Sequence, residues 1–158
     1  MTSTVSGFAT IERELYINAS PEIVYKVVSK PEHIAAWWTD EANFEAAPGG
    51  SGWVAFGDVA AGGKRVELSV AEAIPPRIFA FRWTHAPGEA ASAGNSNLVT
   101  FELAAEGKGT RLKFTEVGFA ERGWEEPRAS EMHANHSNGW DSFLPRLSAY
   151  AAGLGASG

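Results

Sequence analysis

Apolar and polar positions alternate along much of this chain, and near its C-terminal end the period lengthens from two to between three and four. From Phe8 to Asn18, Ile11, Arg13, Leu15 and Ile17 share one parity and Glu12, Glu14, Tyr16 and Asn18 the other. This predicts a strand with one buried face, interrupted by Arg13. Ser20-Pro21-Glu22 combines a capping hydroxyl, a proline at the first helical position and an acid in the first turn, so a short helix through Val28 follows. Ser29, Pro31 and Glu32 repeat the signal for a second short helix carrying Ile34, Trp37 and Trp38. Extended runs come next at 43–46 and 52–58 around Pro48-Gly49-Gly50, and at 64–74 between Gly62-Gly63 and Pro75-Pro76. Residues 77–85 alternate most clearly, with Phe79, Phe81, Trp83 and His85 on one side. Gly, Ala, Ser and Asn dominate 86–96, which predicts a mobile hairpin loop. A last hairpin joins 97–106 to 110–119, with Val99, Phe101 and Leu103 facing the side of Leu112 and Phe114. Met132, His136, Trp140, Phe143, Leu144, Leu147 and Tyr150 then recur at helical spacing, predicting one helix over 127–153. It should be roughly 40 Å long. Pro145 should bend it near Asp141 or Ser142, and Gly153 should end it before a disordered tail.

This order predicts an α+β fold: a curved antiparallel sheet of about six to seven strands, two short helices after the first strand, and a long helix across the sheet. The domain is expected over 8–153, with flexible ends at 1–7 and 154–158. A sheet of this size twists and curls. A straight helix laid against a curled sheet touches it along a line, so large side chains, water or a ligand must occupy the concavity.

Composition sharpens that expectation. Six Trp and nine Phe supply rings that either pack a core or wall a site for flat organic ligands. Cysteine is absent, which excludes disulfides, thiolate catalysis and cysteine-ligated zinc, and fits a reducing compartment. A net charge of −6 with scattered Lys and Arg argues against nucleic acid. Met1 to Gly7 is polar, without the basic start and apolar run of a signal peptide or membrane span; a cytoplasmic protein is expected.

The stretches YINASPEIVYKVVSKPEHIAAWW, KRVELSVAEAIPPRIFAFRWTH, GTRLKFTEVGF and HSNGWDSFLPRLSAY resemble the START-like (SRPBCC) superfamily, and more narrowly the stand-alone bacterial members of the Aha-type family, activators of heat shock protein 90 ATPase. The likeness runs from about Leu15 to Tyr150 and rests on ASPE-x-V-Y, the PP-x-x-x-x-F-x-W strand and Gly139-Trp140, in that order. It implies a helix-grip fold. It also implies a range of activities: lipid or polyketide binding, aromatase or cyclase chemistry, ring-hydroxylase subunits, and a chaperone partner.

The mouth of such a fold should be framed by Trp37, Trp38, Trp53 and Phe56. Phe79, Phe81, Trp83, Phe101, Phe114, Met132, Trp140 and Phe143 should form its interior; for each of these side chains ordinary core packing is the competing explanation. Polar groups on the inner parity say more, because leaving one buried and unpaired costs about 1–3 kcal/mol. His85, Glu116 and His136 are the candidates to touch a ligand, and Arg13 and Glu116 could equally form internal ion pairs. His133 and His136 stand one helical turn apart without a third ligand at a recognisable spacing, so no metal is predicted. Phosphate loops, G-x-S-x-G and H-E-x-x-H are absent, and no cofactor is predicted. The function expected is binding of a small hydrophobic molecule, aromatic, polyketide-like or lipidic, by a monomer or weak homodimer. The alternatives are a co-chaperone of heat shock protein 90 and a cyclase or aromatase using the pocket His or Glu.

Overall fold

The computed structural model describes residues 10–57, 63–86, 88–119 and 122–157. The strand start expected at Phe8 and the turn expected at Gly62 lie outside these residues. In chain order the elements are β1 (Thr10–Ile17), α1 (Pro21–Ser29), α2 (Pro31–Trp37), β2 (Glu41–Phe44), β3 (Ser51–Phe56), β4 (Lys64–Ile74), β5 (Ile78–Trp83), β6 (Asn97–Glu106), β7 (Gly109–Val117) and α3 (Glu126–Ser157). All seven strands form one antiparallel sheet in the order β1-β7-β6-β5-β4-β3-β2. The first strand thus lies beside the last, and the two short helices bridge to the far edge. With α3 over the concave face, this is a helix-grip fold.

Local chemistry accounts for the starts of the helices. The Ser20 side chain accepts from the Ile23 N–H at 3.3 Å, and Pro21 and Pro31 open α1 and α2. The concave face is set by strand parity. One row across the sheet runs Ile11, Glu116, Val99, Phe81 and Val70, and the next runs Arg13, Phe114, Phe101 and Phe79. Apart from Arg13, all of these are buried. A register shift between Val70 and Glu72 marks a bulge in β4, a feature that increases local twist.

Two sequence expectations are corrected here. The helix does not stop at Gly153 but continues to Ser157. Its last turn is held by tertiary contact: Leu154 packs on the core, and a Cβ built on Gly155 would sit 3.3 Å from the Ala19 Cβ. The second strand spans Glu41–Phe44 and so begins two residues earlier than the expected Asn43, because pairing from Glu41↔Ala55 to Phe44↔Gly52 fixes its ends. Among the described residues no helix is long and apolar enough to cross a membrane.

A buried carboxylate beside two cavities under the long helix

The concave centre is filled by rings. Phe114 lies 4.6 Å from Trp140 between ring centroids, Phe101 lies 5.5 Å from Phe114, and Phe79 lies 6.1 Å from Phe81. Trp37 is buried against Phe101 and donates its indole N–H to the Val27 carbonyl at 2.9 Å. Phe79, Phe81, Phe101 and Phe114, expected in the interior, and Trp37, expected at the mouth, thus pack on one another, because strand parity aims them into the same space. Trp38, at the end of α2, is the hub at which sheet and helix meet, 4.9 Å from Trp140, 5.1 Å from Trp83 and 5.9 Å from Phe56.

Into this apolar interior β7 projects Glu116, which has no solvent exposure. Its Oε1 accepts from Trp140 Nε1 at 2.9 Å, and its Oε2 accepts from Trp83 Nε1 at 2.8 Å and Asn97 Nδ2 at 3.1 Å. His136 Nδ1 lies 3.0 and 2.9 Å from the two oxygens. Burying a carboxylate is costly unless its lone pairs are satisfied, and here two indoles, an amide and an imidazole satisfy them. A carboxylate only accepts, so Nδ1 is the donating nitrogen of His136, and in the neutral ring Nε2 is left as an acceptor.

His136 is shared by two cavities. One, about 150 Å³, is apolar and lies between Trp38, Phe56, Trp83, Trp140 and Phe143, with Gly139 in its helical wall. The other, about 250 Å³, is polar; Met132, His85, Arg122 and Trp124 are among its walls. His85 reaches it because Thr84 adopts a φ of +73°, a conformation that strains a β-branched residue and ends the alternation expected to carry His85 alongside Trp83. His85 is buried with Nδ1 unpartnered, and burial, only partly opposed by Glu67, pushes its pKa below the ordinary histidine value. Arg122 holds the strained turn, donating to Thr84 Oγ1 at 2.6 Å, the Thr84 carbonyl at 3.4 Å and Asn97 Oδ1 at 3.1 Å.

The structure thus brings together Trp38, Phe56, Trp83, His85, Glu116, Met132, His136, Trp140 and Phe143 of the expected site. Trp53 lines neither cavity at His136; with His85 and Arg65 it lines a third, of about 390 Å³. Trp53 is an odd number of residues from Phe56, so it leaves β3 from the other face, where the Arg65 guanidinium covers it at 4.6 Å. Arg13 stays at the sheet edge, paired with Asp141 at 2.7 Å and Ser137 at 2.8 Å. Sequence reasoning missed Asn97 and Arg122. Asn97 was detectable, being a polar residue at the head of the buried parity of Val99 and Phe101, whereas Arg122 follows the last strand without any periodic signal. It also missed Tyr25, whose buried hydroxyl is unpartnered beside a separate cavity of about 440 Å³ between α1 and Pro75-Pro76. Among the described residues no cluster of three or more His, Asp or Glu is placed to hold a metal.

The sequence profile of the family described as Activator of Hsp90 ATPase homolog 1-like protein matches residues 18–152. The chain belongs to this family. No curated protein matches it in sequence. Solved structures similar to this Aha1-like chain include protein NE0264 from Nitrosomonas europaea, with a TM-score of 0.73 and 12% identity over 92% of this chain and 95% of that one. The Aha1 dimer from Colwellia psychrerythraea gives a TM-score of 0.65 and 20% identity, over 88% of this chain and 92% of that one. DynU16, a protein of the dynemicin biosynthetic locus, gives 0.66 and 22% identity over 90% of this chain, which spans 46% of DynU16. At these identities the likeness speaks for the fold alone.

Proposed function

We propose that this Aha1-like protein binds a small, flat hydrophobic molecule between α3 and the β3–β5 side of the sheet. The observation that carries this reading is the apolar hollow among Trp38, Phe56, Trp83, Trp140 and Phe143, with a glycine, Gly139, in its wall and the His136 imidazole at its border. Aromatic walls with one convergent polar group suit a flat ligand.

A Cβ on Gly139 would meet only the Phe143 ring edge, at 4.0 Å, so Gly139→Leu should fill the hollow without disturbing the helix. Neutral two- and three-ring aromatics titrated against tryptophan fluorescence should quench saturably in the natural protein. Gly139→Leu, with unchanged circular dichroism, should lose the quenching. Absence of saturable quenching in the natural protein, or equal binding by the plugged variant, would remove the proposal.

Family membership favours a second reading, contact with heat shock protein 90. Its test is the chaperone ATPase rate with and without this protein, and an unchanged rate excludes it.

A further inference from the structure

The polar cavity beside the hollow holds a cation without a counter-ion. Arg122 is half-buried, and among the described residues it pairs with no carboxylate. Burial first, then the neighbouring Arg128, push its pKa down, while Glu116 acts in the opposite sense. Its placement is nevertheless fixed. One Nη1 and one Nη2 proton grip Thr84, the second Nη1 proton goes to Asn97, and the Trp124 ring lies 4.6 Å from the guanidinium. Of the five guanidinium donors, the Nε–H and one Nη2–H have no partner among the described residues. These two are parallel and form the side-on fork that fits a carboxylate through two hydrogen bonds.

Three further features favour an anion. Lys64, Arg65 and Arg128 line the same cavity as Arg122. Glu67, the acid in that lining, is already paired with Arg65 at 3.6 Å. His85 lines the same space, and its buried Nδ1 has no partner, an arrangement that costs stability unless something else satisfies it. His136 borders both this cavity and the apolar hollow.

We infer that the ligand is an aromatic carboxylate, its ring in the hollow and its carboxylate on the free fork of Arg122. This inference rests on the ligand-binding reading above and narrows its chemical class. The test compares 2-naphthoate with its neutral isostere 2-naphthamide by tryptophan quenching on the full chain. The carboxylate should bind about tenfold more tightly, the scale of one charge-assisted bidentate contact. Raised salt should shrink the difference through screening. Arg122→Gln should reduce it to less than about threefold while leaving the affinity for the amide in place.

Equal affinities in the natural protein overturn the anion inference and leave the hydrophobic reading intact. Binding of neither probe overturns both. A preference for the carboxylate that survives Arg122→Gln removes Arg122 from the site. Should that variant fail to fold, the two-probe comparison on the natural protein still decides.

Discussion

Glu116 shows how a single side chain can organise a site. Four donors from β5, β6 and α3 converge on it, so replacing it tests the whole constellation. Glu116→Gln keeps the shape but turns one acceptor oxygen into a donor facing N–H groups. Urea denaturation should show a loss of about 2–4 kcal/mol. His85 contributes the opposite kind of term. Its folded pKa lies below the unfolded 6.5, so between the two values the unfolded chain binds a proton that the folded chain does not. Stability is then fully present above the unfolded value and falls as pH drops through 6.5 toward the folded pKa. His85→Gln should flatten this decline, as read from urea midpoints at neutral and mildly acidic pH.

Among the elements, α3 is held to the sheet edge by Arg13 of β1, which donates to Asp141 at 2.7 and 3.2 Å and to Ser137 at 2.8 Å. The hydrogen bond from Arg13 holds the Asp141 carboxyl below its usual pKa. Half of the Asp141 side chain is exposed, however. Solvent-screened pairs of this kind contribute little, so Asp141→Asn should cost less than about 1 kcal/mol in chemical denaturation. The same helix carries Pro145 in its interior and runs for 32 residues. It survives because its apolar stripe, Trp140, Leu144, Leu147 and Ala151, is buried along its length.

Across the whole molecule, Trp38 joins what the chain separates, contacting rings of β3, β5 and α3 from the end of α2. Trp38→Ala should lower stability by about 3–5 kcal/mol in urea denaturation and enlarge the hollow at its mouth. The architecture itself was legible in the sequence. Strand parity, the Pro21 and Pro31 helix starts and one long helical stripe are local patterns, although Ser29, expected to open the second helix, instead ends the first and donates to the Tyr25 carbonyl; burial of one face per element leaves few ways to assemble them. β4 and β6 match their predicted ranges because turn residues bound them on both sides. Glu116 and His136 were also detectable, as polar residues on apolar faces. Tertiary structure alone decided that the central rings mesh and that open space remains beside His136, since identical side chains can fill a concavity or line it and the difference lies in sub-ångström packing. It alone placed Arg122 and re-aimed His85, because loop conformation and the positive φ of Thr84 depend on contacts across the fold and leave no period in the chain.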